Sequence, residues 1–274
     1  MSSPSDASGA NSRTARTFLL TILGDAVMPG SRRVLQESLV GALGALDISV
    51  PAARQATSRA TRDGWLTSER VGRRSLMTIS DSAAEMLIEG RKRTMEFGET
   101  RPWDERWLLV TLTVHEDRRE VRHHFRTELG WLGFGSLGNG VWISPHASNE
   151  AAALRLFQSR EGLKDAYVFV TSTPVTHAPR DIARTAWDLD KLLRRYTAFD
   201  TKFSALSPSD PQEIFAAWIE LITAWRHFPL VDPELPDSLL PAGWPRETSY
   251  RLFHRRREEW AAVAREYFLS LDPG

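Results

Sequence analysis

The sequence predicts an α+β multidomain protein: an N-terminal winged helix-turn-helix over 13–100, a central ferredoxin-like βαββαβ domain over 101–177, and a helical C-terminal domain over 178–274. Three observations carry this. Three short helical segments, a hairpin centred on Gly72 and a linking helix crowd into residues 13–96, which is the content of a winged helix-turn-helix. Beyond Pro102 the apolar period changes to two, and strands and helices follow in the ferredoxin-like order β-α-β-β-α-β. After Thr176 the apolar stripes return to helical spacing.

A chain of 274 residues has room for two or three domains with their own cores. Hydrophobic residues at 42% and charged residues at 26% are the ordinary balance of a globular protein. The 35 basic and 35 acidic residues cancel, which excludes a uniformly basic nucleic-acid coat but leaves room for a local basic patch. The absence of cysteine excludes disulfides, thiolate nucleophiles and cysteine-ligated zinc or iron–sulfur centres. It also fits a reducing compartment. No apolar run approaches the roughly 18 residues of a membrane span. Met1–Ser12 is small and polar, without a signal-peptide pattern, and reads as a disordered tail. A cytoplasmic protein without a membrane partner is expected.

In the first domain, Phe18, Leu19, Ile22 and Leu23 form an apolar stripe that stops at Pro29-Gly30. A second helix is expected from Arg32 to Leu46, with Leu35, Leu39, Leu43 and Leu46 inward. Ser49 is placed to cap a third helix, Pro51 falls in its first turn, and Gly64 ends it. Leu66–Val71 and Ser75–Ile79 read as a hairpin turning at Gly72. Ser82-Ala-Ala-Glu85 has the capping-box spacing and opens a fourth helix that runs to Glu96. Phe97–Pro102 is then a linker.

In the centre, Leu108, Val110, Leu112 and Val114 form one face of a strand, and Val121, Phe125, Leu129 and Leu132 repeat at helical spacing. Asn139-Gly140 precedes the strand Val141–Ser144. Asn149 is a cap for a helix with Leu154 and Phe157 inward, and Tyr167–Val170 is the last strand. Helices are then expected over Ile182–Phe199 and Gln212–Phe228. A proline-rich connector separates these from a final helix over Thr248–Leu271.

The strongest constellation is the third helix with its hairpin. Ala53, Ala56 and Ala60 share one face, while Arg54, Ser58 and Arg62 share another, with Gln55 and Arg59 beside them. Small residues let a helix lie close to its neighbours, and arginine and glutamine are the side chains that read guanine and adenine edges. Arg70, Arg73 and Arg74 surround Gly72, where a wing would meet the phosphate backbone or the minor groove. The ordinary alternative is a solvated helix face, but the frame and the basic wing together favour DNA.

Other motifs are weaker. Gly133-Phe-Gly135-Ser-Leu-Gly138 matches a dinucleotide fingerprint formally, yet a helix precedes it and a strand follows, the reverse of what a phosphate site needs. It reads as hairpin turns. His115, Glu116, Asp117, His123 and His124 cluster without a recognised ligand spacing and read as solvated charges. Asp188-Leu-Asp190 at a helix start is explained by the helix dipole. The ten tryptophans, among them Trp107, Trp131, Trp218 and Trp225, fall mostly at inward positions. Trp142, His146 and Trp187, with Arg194, are the residues placed to line a pocket for an aromatic anion.

Several unusual stretches resemble the PaaX family of bacterial transcriptional repressors. They are Arg16-Thr-Phe-Leu-Leu-Thr-Ile-Leu-Gly-Asp25, Val50–Leu66, Arg70-Val-Gly-Arg-Arg-Ser75, Trp103-Asp-Glu-Arg-Trp107, and Leu132-Gly-Phe-Gly135 through Gly140-Val-Trp-Ile-Ser-Pro-His146. Trp187-Asp-Leu-Asp190 and Leu239-Leu-Pro-Ala-Gly-Trp-Pro245 complete the set, so the resemblance runs from Arg13 to the C-terminus. It implies a homodimer that represses an aromatic-acid operon of the phenylacetate type. It also implies a DNA-reading helix over Val50–Asp63, a wing over Leu66–Ile79, a central domain similar to a small CRISPR-associated nuclease, and release from operator DNA by an aryl-acyl-CoA such as phenylacetyl-CoA. No catalytic residue and no cofactor are expected. The alternative of a different class is a metal-dependent nuclease using Glu116 and Asp117. A third is an enzyme that processes CoA thioesters, for which no nucleophile–base pair is evident.

Overall fold

The computed structural model describes residues 14–99, 103–111, 125–130, 132–146, 150–158, 166–172, 174 and 176–272. The expected tail, Leu112 and Val114, Val121, Trp131, Asn149 and the His115–His124 cluster lie outside them, as does the side chain of Phe157. The protein is mixed α and β, with helices and two antiparallel sheets. Two compact units form. One gathers the residues through Phe97 with Asp200–His227 and those from Tyr250 onward; the other gathers Gly98–Phe199 and Phe228–Ser249. The helices after Thr176 are shared between them.

The first unit opens with α1, helical over 14–21 and continued by the wider turn Ile22–Val27. Leu19, Ile22 and Leu23 are fully buried. Arg33–Leu35 is a strand, β1, so the second helix starts later than its apolar spacing implies: α2 covers Gln36–Gly44. The reason is tertiary. Val34 and its neighbours pair with the second hairpin strand, Arg33 opposite Thr78 and Leu35 opposite Leu76, which a local periodicity does not reveal. Then come α3 (Val50–Arg62), β2 (Leu66–Val71), β3 (Arg74–Ile79) and α4 (Asp81–Glu96). The sheet order is β1-β3-β2.

The cap of α4 is Ser80, two residues before the expected one; its hydroxyl accepts from the Ala83 amide at 3.3 Å. Phe97, expected in a linker, is 2% exposed and meets Trp225 edge-on at 5.5 Å. Trp225 also stacks on Phe253 and donates to the Thr94 carbonyl, which seats α9 (Pro211–Trp225) and α11 (Arg246–Ser270) against α4.

In the second unit the strands β4 (Trp107–Thr111), β5 (Gly135–Gly138), β6 (Val141–Ser144) and β7 (Tyr167–Thr171) form a sheet ordered β5-β6-β4-β7, antiparallel throughout. One face holds Leu108, Val110 and Trp142 under Phe125 and Leu129 of α5 (residues 125–130) and Ala153 of α6 (Glu150–Gln158). Leu154, expected inward, is 39% exposed; Ala153 takes the core position instead. The opposite face holds Trp107 and Ile143 under Ile182 and Ala183 of α7 (Pro179–Ala186) and the connector leucines Leu235, Leu239 and Leu240.

The single helix expected over Ile182–Phe199 is two. Trp187 takes an extended conformation after α7, and the Asp188 carboxylate accepts from the Lys191 amide at 2.9 Å to cap α8 (Leu189–Ala205). The short α10 (Phe228–Val231) follows α9. Beneath it lies a buried polar network. Arg246 Nε and Nη2 donate to both oxygens of Asp232 at 3.2 and 3.1 Å, Arg246 Nη1 donates to the Leu235 carbonyl, and the Tyr196 hydroxyl donates to Asp232 at 2.5 Å. Burial, then the Asp232 charge, pushes the Tyr196 phenol far above its usual range, so it stays a donor.

Because that pair is balanced and hydrogen-bonded, removing one member strands the other. Arg246→Met is expected to cost about 3–5 kcal/mol in denaturant unfolding. Tyr196→Phe, which removes one bond to a charged acceptor, should cost about 1.5–3 kcal/mol.

Candidate nucleic-acid interface

Helix α3 is built with two unlike faces. Ala53, Ala56 and Ala60 are buried as expected, at 0, 6 and 7% exposure. Thr57 joins them, fully buried, and accepts from Gln36 Nε2 at 3.0 Å, which ties α3 to the first residue of α2. Ser49 does occupy the N-cap position, but its side chain makes no capping bond; Pro51 in the first turn supplies the local preference instead. The other end is held by Trp65, whose amide donates to the Ala60 carbonyl at 2.8 Å, and by Ser80, whose hydroxyl donates to the Gly64 carbonyl at 2.8 Å. Ser80 therefore fastens the end of α3 and the start of α4 together. Sequence reasoning missed Thr57, Gln36 and Ser80. A hydroxyl in the middle of an alanine stripe was the available signal for Thr57.

The opposite face presents Arg54, Gln55, Ser58 and Arg62 to solvent. Arg59 is half-buried and lines a cleft of about 120 Å³ with Arg16, Leu19, Leu20, Ala56, Ala60 and Trp65. Residues β2 and β3 extend as a ribbon, Val71 opposite Arg74, closed by the two-residue loop Gly72-Arg73 with Gly72 at φ 61°. A positive φ at the first loop position is what a glycine is needed for there. Arg70 and Arg73 are exposed, and Arg70 Nε donates to the Gly72 carbonyl at 3.3 Å.

Acidic side chains brace this basic surface. Arg74 lies 3.9 Å from Glu37, Glu69 lies 3.6 Å from Arg33, and Asp63 lies 3.5 Å from Arg16 and 4.0 Å from Arg62. These pairs are solvated and worth little individually. They hold the guanidiniums near the surface at distances where phosphate oxygens can compete for them. The eight expected DNA contacts thus lie on one helix face and one ribbon.

The four residues expected to line an effector pocket are not gathered. Trp142 packs on the α5 and α6 face of the second sheet, whereas Trp187 packs with the α7 face. His146 is engaged with the Pro233 carbonyl at 2.8 Å, and Arg194 is exposed on α8. The glycine motif has a packing role. A Cβ at Gly135 would stand 2.5 Å from the Trp187 ring and 2.7 Å from Ala186, so Gly135 is a strand residue that lets α7 close on the sheet. Asn139-Gly140 makes the turn between β5 and β6. Among the described residues no group of three histidines, aspartates or glutamates is placed to hold a metal ion. No helix among them is long and apolar enough to cross a membrane.

The family model described as PaaX-like protein matches residues 14–83, that of the PaaX protein central Cas2-like domain matches 100–183, and that of the PaaX-like protein C-terminal domain matches 187–270. Among curated proteins the chain is similar to the transcriptional repressor PaaX of Escherichia coli (strain K12). The two are 27% identical over 248 residues, which cover 86% of this chain and 77% of that one. Among solved structures it is similar to the uncharacterized protein Rv0674 from Mycobacterium tuberculosis, with a TM-score of 0.58 and 23% identity. That likeness covers 85% of this chain and 90% of the other, and it bears on the fold alone.

The alanine face sets how closely α3 approaches its neighbours. Ala53→Leu is expected to destabilise the protein by about 1–3 kcal/mol through overpacking. Gln55→Ala on the opposite face should stay within about 0.5 kcal/mol in the same denaturant titration.

Proposed function

This chain belongs to the PaaX family, and from that premise we propose that it is a DNA-binding transcriptional repressor of an aromatic-acid operon of the phenylacetate type. The observation that carries the reading is α3, an alanine-packed helix whose outer face bears Arg54, Gln55, Ser58, Arg59 and Arg62, beside a ribbon bearing Arg70, Arg73 and Arg74. Helices α1 to α3 with the sheet β1-β3-β2 support a winged helix-turn-helix, α3 entering the major groove and the β2–β3 ribbon lying along the backbone or minor groove. The order β5-β6-β4-β7, with helices crossing between β4 and β5 and between β6 and β7, supports the ferredoxin-like reading of the centre. The functional division is 13–100 for DNA, 101–177 for dimerisation, and 178–274 for the helical remainder.

The repressor acts as a cytoplasmic homodimer on double-stranded operator DNA, without a cofactor. An aryl-acyl-CoA such as phenylacetyl-CoA releases it by favouring a dimer geometry with the wrong half-site spacing, a shift between two populated states. Similarity to a repressor favours this reading over the nuclease built on Glu116 and Asp117 and over a thioester-processing enzyme.

Fluorescence anisotropy on DNA from the protein's own upstream intergenic region tests it. Binding should weaken steeply between about 50 and 200 mM salt, and phenylacetyl-CoA should release the DNA. Arg59→Ala should cost about 1–3 kcal/mol and relax sequence preference, whereas Arg73→Ala should weaken all sequences alike. Unchanged preference in Arg59→Ala would remove α3 from the groove, and divalent-dependent cleavage of the DNA would overturn the repressor reading.

A further inference from the structure

We propose that Arg91, Arg226 and Arg257, gathered around Asp25 in the first unit, form a binding site for a multiply charged oxyanion of the phosphate class. Four helices build it. Asp25 lies in the wide last turn of α1 and is 3% exposed. Arg91 Nε of α4 approaches its Oδ1 at 3.7 Å and Arg257 Nη2 of α11 at 3.8 Å. Both separations exceed a hydrogen bond, and Oδ1 has no hydrogen-bond partner. Arg226, at the end of α9, donates Nη1 to the Thr21 hydroxyl at 3.3 Å, and that hydroxyl lies 2.9 Å from Thr223. Arg265, two turns beyond Arg257 on α11, adds a fourth charge, its guanidinium 5.8 Å from the Trp218 ring centre. The Nε atoms of Arg257 and Arg265 are buried without a hydrogen bond.

The charges do not balance. Among the described residues four guanidiniums surround one carboxylate, and Asp25 is the carboxylate that acts on both Arg226 and Arg257. Arginine does not relieve such crowding by losing its proton. A half-buried positive surplus is costly unless an opposite charge arrives, and burial already works against the charged forms of Arg226, Arg257 and Asp25. Guanidinium forks are shaped for bidentate contact with phosphate oxygens. The Arg91 and Arg257 side chains are 35% and 17% exposed, so these two arginines meet solvent at the edge of the cluster. Asp25 keeps the guanidiniums apart and oriented at long range, so that an oxyanion replaces one loose contact with several short ones.

This site shares no residue with the proposed DNA contacts and stands whether or not the DNA reading does. The test is isothermal titration of the full chain with inorganic pyrophosphate at low salt, without DNA, each variant first checked by circular dichroism and thermal unfolding. Saturable binding is expected, weakened at least about tenfold by Arg91→Gln and by Arg257→Gln, which each remove charge-assisted bonds. Asp25→Asn, which removes the competing negative charge, should tighten it. Arg184→Ala, at an exposed position of α7 in the other unit, should leave it unchanged. Titration with coenzyme A separates a free phosphate from one carried by a larger molecule, since competition with pyrophosphate would place the larger ligand's phosphates at this site. Absence of saturable binding to the folded protein would overturn the proposal, as would equal loss in Arg184→Ala. Weaker binding in Asp25→Asn would make the cluster a structural clamp only.

Discussion

The approach distance of α3 is the constraint on which the basic surface depends. A helix packs at the distance its largest inward side chains permit, and here these are Ala53, Ala56 and Ala60 with one buried threonine. That choice yields little apolar burial per residue, so the helix draws its placement from polar fastenings instead. Thr57 is held by Gln36 on one side, and the loop after α3 is held by Ser80 on the other. The same helix therefore has a precise seat and a face with no packing duty. Long charged side chains can occupy the second because the first asks so little of them.

Two buried charge clusters show how differently the fold treats ionised groups. Around Asp232 each oxygen is used: Arg246 binds both, Tyr196 adds a donor, and the Glu234 amide a fourth at 2.7 Å. Such a closed network stabilises one arrangement of connector and helix and leaves nothing to attract a ligand. Around Asp25 the contacts are long, one oxygen has no partner, and positive charge is in excess. Structural pairing explains the first cluster fully. It leaves the second unbalanced, which is the physical difference between a brace and a site.

Local patterning made much of this legible. The alanine stripe, the Gly72 ribbon and the exposed arginines follow from residue spacing, because helix and strand periods project faces directly onto sequence. What periodicity hid was tertiary. Arg33–Leu35 looks helical until β3 lies beside it, and the break at Trp187-Asp188 depends on the cap made by Asp188. The proposed effector residues failed to converge because nearness in sequence to a domain junction says nothing about sheet face: Trp142 and Ile143 are adjacent yet serve opposite cores. The Asp25 cluster was invisible for a similar reason, since its arginines come from α4, α9 and α11, each of them unremarkable alone.

For a chain of zero net charge, the proposed DNA binding requires that positive potential be concentrated rather than raised everywhere. The acids beside the basic face show how this is tempered. Glu37, Glu69 and Asp63 each sit near an arginine of the surface, at distances where attraction in water is weak. A non-specific DNA must still displace or repel these carboxylates, and gains only phosphate contacts for doing so. On the proposed function, a specific site adds base-edge bonds from α3 on top of the same cost. The acids thus lower the affinity for any DNA while leaving the difference between right and wrong sequences intact, and that difference is what selects a site among many competitors. With a modest basic face and a closely seated helix, the proposed repressor would obtain its discrimination from geometry more than from charge.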